Sequence, residues 1–164
     1  MSPSKRSIST KEFPVFSSLH IDRGGTVLVF PSSVVVAALS RAREVVLVRQ
    51  YRLGIGRQTF ELPGGRIEQK ETPKRAAVRE FEEESGYTCH RLKRMFRLDM
   101  DFSVSRHQTY VFQGTLDTNS IHQGAFEVVL IPLAQTLSMV TRGQISHAPT
   151  VAALLWLTRE RQER

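Results

Sequence analysis

The chain has 164 residues, 40% of them hydrophobic and 24% charged, which suits one globular domain with a real core and leaves no room for two. Its formal net charge is +7, and most of its cations are arginines, which pair bidentately with phosphate or carboxylate. The composition therefore admits an anionic partner without choosing among nucleotide, nucleic acid and acidic surface. No window approaches 18 uninterrupted apolar residues, and no apolar stretch follows the positive start "MSPSKRSISTKEF". Neither membrane spanning nor secretion is expected. The single cysteine, Cys89, excludes an internal disulfide and suits a reducing, cytoplasmic setting; next to His90 on an extended segment it reads as a structural thiol.

Residues 1–12 are rich in Ser, Lys and Pro without periodicity and read as a flexible tail, with a single domain over 13–164. The runs "TVLVFP" (26–31), "SVVVAAL" (33–39) and "EVVLVRQY" (44–51) are short, β-branched and separated by breaker residues, as strands are. The third turns polar at Arg49, Gln50 and Arg52 and so delivers cations to its own end. "RQTFELP" (57–63) is a further extended segment, stopped by Pro63 and the Gly64-Gly65 pair.

A helix is predicted from Pro73 to Ser85. Thr72 is suited to cap it, Pro73 fits the first helical position, and Gly86 stands where a left-handed terminating residue belongs. Ala76, Ala77 and Phe81 form part of an apolar stripe beside an acidic one. Beyond it, 91–99, 107–116 and 125–133 read as strands, with Arg91, Lys93, Met95 and Arg97 alternating against Leu92, Arg94, Phe96 and Leu98. Two helices close the chain, over 133–143 and 148–164, the second turning Val151, Leu154, Leu155 and Trp156 toward a core. The whole is a mixed α/β (α+β) chain.

Glu80, Glu83 and Glu84 fall at i, i+3 and i+4 of the first predicted helix, near the end where the macrodipole disfavours anions. Arg75 and Arg79 could make this an ordinary solvated acidic face. That does not account for the Gly-Gly turn upstream, Glu71 just before the cap and Arg79 beside the trio. A hard divalent cation does account for the trio, because Mg²⁺ or Mn²⁺ takes a few carboxylate oxygens while keeping water and substrate phosphate in its other positions.

These residues resemble the signature of the Nudix hydrolases, G-x5-E-x7-R-E-U-x-E-E-x-G-U, where U is bulky and apolar. It runs here through Gly65, Glu71, Arg79, Glu80, Phe81, Glu83, Glu84, Gly86 and Tyr87, with aromatic residues at two U positions. The resemblance implies a Nudix α/β/α sandwich with a mixed central sheet, and hydrolysis of a nucleoside diphosphate linked to another group. It further implies Glu80, Glu83, Glu84 and the Gly65 carbonyl as ligands of Mg²⁺ (or Mn²⁺), Arg79 and Glu71 as a brace between loop and helix, and Gly86 as a structural residue. The flanking "VVLVRQYRLGIGRQTFELPGGRIE" resembles the branch that cleaves ADP-ribose and nucleotide sugars to a nucleoside monophosphate and a sugar phosphate. Arg52 and Glu61 are then substrate contacts. The general base is expected to be Glu83, Glu84 or Glu127, the last preceding a strand in the C-terminal half and being equally a candidate for an extra metal ligand.

Two features depart from that branch: the segment "FRLDMDFSVSRHQTYVF" lacks a proline common there, and at the short N-terminus the domain-exchanging contact of longer relatives is expected to be reduced or absent, with a homodimer kept as an alternative to a monomer. The partner expected is a nucleotide-derived small molecule. The charge and the arginines over 91–97 motivate a second enzymatic reading, a nucleoside triphosphate or RNA 5′-end pyrophosphohydrolase. A third class, a non-catalytic nucleotide sensor, sits poorly with a complete carboxylate set.

Overall fold

The computed structural model describes residues 18–22, 25–101 and 103–159; the predicted N-terminal tail and the last five residues of the final predicted helix lie outside them. In chain order the elements are β1 (Ser18–Asp22), β2 (Gly25–Val29), β3 (Ser33–Leu39), β4 (Glu44–Arg52), β5 (Arg57–Glu61), α1 (Pro73–Ser85), β6 (Tyr87–Met100), β7 (Ser105–Ile121), β8 (Glu127–Pro132), α2 (Leu133–Thr141) and α3 (Ala148–Arg159). A single 3-10 turn, Leu53–Ile55, joins β4 to β5.

The strands form one mixed sheet in the order β1-β2-β7-β3-β4-β5, with β6 also pairing with β7 and β8 with β4. β3 runs parallel to β7 from Ser33↔Thr109 to Leu39↔Thr115, and β4 lies antiparallel to β5 and β8. Because successive strand side chains point to opposite faces, β3 buries residues on both. Val34, Val36 and Ala38 pack with Ala76, Ala77 and Phe81 of α1, while Val35 and Ala37 pack with Leu133, Ile145, Ala153, Leu154 and Leu157. The result is a three-layer α/β/α sandwich, the architecture the sequence implied.

α1 has the predicted bounds. The Thr72 side chain accepts a hydrogen bond from Arg75 N, Pro73 opens the helix, and Gly86 adopts φ 71° at its end. The last carbonyls of α1 are satisfied by the loop between β7 and β8, where Ala125 N donates to Glu83 O and Phe126 N to Glu84 O. Residues 125 and 126 were expected to be strand; they serve the helix end instead, and β8 starts at Glu127.

Two further expectations are corrected. β6 begins immediately after Gly86 and its alternation fails, because the register with β7 shifts between His90 and Lys93 and again between Arg94 and Phe96, with Arg91 at φ 55°. Each extra residue in a bulge transfers the later residues of the strand to the other face. Met95 accordingly joins Phe96 and Leu98 against the core while Arg91, Lys93, Arg94 and Arg97 stay exposed. On α3 the buried face is Thr150, Ala153, Leu154 and Leu157, an i, i+3, i+4, i+7 stripe. Leu155 and Trp156 lie on its exposed side, Trp156 tilted against Phe96 with ring centroids 5.3 Å apart. β1, which the sequence reading did not anticipate, forms a hairpin with β2.

Pro63, Gly64 and Gly65 run along the N-terminal half of β3: Val36 N donates to Pro63 O and Val34 N to Gly65 O, both at 2.9 Å. At Gly64 a Cβ would collide with the backbone of Val34 and Val35, so the turn lies closer to the strand than any side chain permits. Gly64→Ala is expected to lower the unfolding free energy by about 2–4 kcal/mol in urea denaturation, because main chain rather than a mobile side chain must shift.

Candidate active site

Four elements meet where β3 begins: the end of β4, the end of β5, the Pro63-Gly64-Gly65 turn and the C-terminal half of α1. The helix pitch brings Glu80, Glu83 and Glu84 to the side facing the turn. Their surroundings then separate them. Glu84 accepts hydrogen bonds from Gly64 N at 2.8 Å and from Gln50 Nε2 at 3.1 Å. Burial, reinforced by the Glu80 charge, pushes its carboxyl up to about 7, while the bonds from Gly64 and Gln50 and the Arg52 charge restrain the shift.

Arg79 organises the rest. Its Nε and Nη2 fork onto Glu71 at 3.1 and 2.9 Å, its Nη1 donates to Glu80 at 2.8 Å and to Glu83 at 3.1 Å, and Nη2 also reaches the Arg66 carbonyl at 3.0 Å. One guanidinium thus joins the loop after the Gly-Gly turn to two carboxylates of α1, a use of fork geometry that lysine could not reproduce. The hydrogen bonds from Arg79 and from the Glu68 backbone hold the Glu71 carboxyl below its usual range, and Glu71 and Glu80 in turn raise Arg79 above its own.

Gly65 has a steric role at this point. A side chain there would collide with the Glu80 carboxylate, and its carbonyl accepts from Val34 N. Among the described residues, no three His, Cys, Asp or Glu side chains are drawn together as a metal cage. Glu80 and Glu83 face Arg79, and Glu84 faces Gly64 and Gln50. The donor set nevertheless fits a hard divalent cation: three carboxylates leave one helix side, one of them is buried and disfavoured as a bare anion by Glu80, and bare glycine backbone lies against them.

At the ends of β4 and β5, Arg52 Nε and Nη2 clamp Glu61 Oε1 and Oε2 at 2.8 and 2.6 Å. Glu61 is almost completely buried, whereas half of the Arg52 side chain is open. Gln50, Arg52 and Glu61 share the α1 face of the sheet, because Gln50 and Arg52 are two apart on β4 and Glu61 pairs with Val48. The charge of Glu84 also contributes to raising Arg52, after the Glu61 hydrogen bond.

Glu127 is not brought to this cluster. It pairs with Arg49, one residue out of phase with Gln50, so the pleat sends it to the face of Leu47 and Val129, and it meets Arg49 Nη1 at 3.4 Å in the open. Gly86 holds its place by conformation: a Cβ there would strike the His122 carbonyl. Cys89 is buried and its thiol is pushed up to about 12 by burial and by Glu82, which suits the structural role expected of it.

Two groups escaped the sequence reading. Gln50 belongs to the polar strand end and to the flanking stretch that carries the resemblance but receives no site role from the sequence, although its two-residue spacing from Arg52 is a sign that both share a face. His147 gave no local sign at all; it is the residue before α3, with Nδ1 3.0 Å from Thr150 Oγ1 and 3.5 Å from Glu61 Oε2.

The NUDIX domain model matches residues 29–154. The chain is 28% identical over 133 residues to a methanol dehydrogenase activator of Bacillus methanolicus and 27% identical over 133 residues to an ADP-ribose pyrophosphatase of Bacillus subtilis (strain 168), each match covering 77% of this chain and 72% of the relative. The crystal structure of an ADP compounds hydrolase superposes with a TM-score of 0.77 at 20% identity, covering 98% of this chain and 92% of that one.

The Glu84 carboxyl yields a pH prediction for protein stripped of metal with a chelator. Its folded value of about 7 lies above the ordinary 4.5, so between those values the folded state holds a proton the unfolded state has released, and stability falls as pH rises through that window. Glu84→Gln keeps an acceptor for Gly64 N and can pair with a flipped Gln50 amide. Thermal scans in chelator should show the variant melting above the parent chain at about pH 8, the difference vanishing toward about pH 4.5.

Proposed function

This chain belongs to the NUDIX family of hydrolases, and from that premise we propose that it cleaves the diphosphate of ADP-ribose or a related nucleotide sugar with the help of Mg²⁺, releasing a nucleoside monophosphate and a sugar phosphate. The observation that carries the reading is the meeting of Glu80 and Glu84 at the Gly64-Gly65 turn, with Glu83 tied to Glu80 through Arg79 and the Arg52–Glu61 pair beside them. The substrate class finds support in the 27% identity to an enzyme named an ADP-ribose pyrophosphatase, over most of both chains.

Glu80, Glu83 and Glu84 would hold the metal, with the bare Gly65 backbone against them. When bound, a divalent cation neutralises diphosphate charge and makes nearby water more acidic. The protein's own groups do the remainder. Arg52, anchored by two bonds to Glu61, has Nη1 left to donate to a phosphate oxygen and is held fully cationic by that carboxylate. Arg79 fixes the orientation of Glu80 and Glu83 and ties Glu71 and Arg66 into the same rigid unit. Removal of a proton from the attacking water falls to Glu83 or Glu84. A reducing, cytoplasmic setting fits the lone thiol, and among the described residues no helix is long and apolar enough to cross a membrane.

The test is a panel of ADP-ribose, nucleotide sugars, dinucleotides, nucleoside triphosphates and 5′-triphosphorylated RNA, each with Mg²⁺. Turnover of a sugar conjugate is expected, and its absence with activity on triphosphates or RNA would overturn the substrate class. Glu84→Gln should lose about a hundredfold or more in kcat while keeping its fold by circular dichroism. Arg52→Lys, which keeps the charge and loses the fork, should raise KM by about tenfold with a smaller change in kcat.

A further inference from the structure

The α2–α3 loop is stitched along β5. Arg57 Nη1 donates to Gly143 O at 3.0 Å, Arg57 Nη2 to Ser146 Oγ at 2.8 Å, and Phe60 N to Gln144 O at 3.3 Å. This docking delivers His147 to Glu61, with Nδ1 3.5 Å from Glu61 Oε2. Thr150 Oγ1 is buried and already accepts from Leu62 N at 3.0 Å, so its own hydrogen needs an acceptor, and His147 Nδ1 at 3.0 Å supplies one. When Nδ1 accepts from Thr150, neutral His147 carries its proton on Nε2, a nitrogen with no hydrogen-bond partner among the described residues. The ring keeps 31% of its surface open.

Arg52 shows the same arrangement. Its Nε and Nη2 are spent on Glu61, and its Nη1 has no partner among the described residues. One buried carboxylate therefore anchors two side chains from different parts of the chain, Arg52 from β4 and His147 from the loop before α3, each with an outward nitrogen left to donate.

We propose that His147 is a substrate-contacting residue that forms, with Arg52, a two-donor clamp on the diphosphate, both arms being aimed by Glu61. The inference rests on the diphosphate chemistry proposed above and adds to it a residue that lies outside the Gly65–Tyr87 signature. Burial lowers His147 from its ordinary value and the charges of Arg52 and His107 lower it further, against the pull of Glu61, so those three groups, from β4, β7 and β5, are the ones that set its proton affinity. An incoming anion adds a second negative neighbour. The free ring is then neutral and donates through Nε2, and the occupied site draws a proton to Nδ1, where Glu61 Oε2 stands at 3.5 Å to receive it.

The test uses the full chain. The Cε1 proton of His147, assigned by its loss in His147→Gln, is titrated by NMR with and without magnesium pyrophosphate, the diphosphate alone. Its midpoint should move upward by about half a pH unit or more on addition of pyrophosphate. With ADP-ribose, His147→Ala should raise KM about tenfold with kcat within about threefold of the parent, His147→Gln should recover part of the loss by restoring a donor, and the rise of KM with pH expected of the parent should flatten in both variants. A purely structural role at the start of α3 would change stability and leave the parent's titration indifferent to pyrophosphate. An unmoved midpoint, or a His147→Ala KM within about twofold of the parent, overturns the proposal. Should His147→Ala fail to fold, His147→Gln and the parent titration decide it. If the parent chain hydrolyses no sugar conjugate, the substrate reading falls separately, and the pyrophosphate titration alone judges His147.

Discussion

The site depends on how one guanidinium is used. The second half of α1 carries glutamates at adjacent positions of one helix side, close to the end whose dipole repels them, and such an arrangement would be unfavourable if left to itself. Arg79 relieves it by donating to Glu80 and Glu83 from one nitrogen while its other two nitrogens grip Glu71 and the Arg66 carbonyl. The same bonds join the loop after the Gly-Gly turn to the helix. Position of the turn, orientation of the carboxylates and tolerance of their mutual repulsion therefore have a common cause.

What Arg79 leaves uncompensated is informative. Glu84 lies beyond its reach, under the turn, with a backbone amide and a glutamine for partners and a neighbouring Glu80 raising its proton affinity. Burial and the Glu80 charge disfavour this carboxylate as an anion, and the Arg52 charge offsets them only in part. Across the turn the reverse holds: Glu61, more deeply buried, has both oxygens taken by Arg52 and His147 nearby. The acidic helix and the basic chain are complementary, one side suited to cations and the other to the anion those cations would carry.

Much of this was legible in advance. The bounds of α1, its Thr72 cap, the Gly86 terminus and the spacing of Glu71, Arg79, Glu80, Glu83 and Glu84 depend on residues within a few turns of one another, where local rules act strongly. Short buried strands were readable for the same reason, since β3 and β4 are apolar on both faces and offer no other place to go. The errors lie where partner elements choose. Met95 went inward because bulges against β7 shifted its phase, and Glu127 went to the far face because its register with β4 pairs it with Arg49 rather than Gln50.

His147 marks the boundary between the two kinds of information. The sequence by itself determined the carboxylate set, the glycine turn that must lie against it and the helix that presents it, because helix pitch, caps and the absence of a Cβ are properties of short segments. Only the tertiary structure decided which strand residues face that helix, and that Glu61, Arg52 and His147 stand together. Sheet register and loop docking bring together residues from distant parts of the chain, and nothing within a few residues of His147 encodes where Glu61 will be.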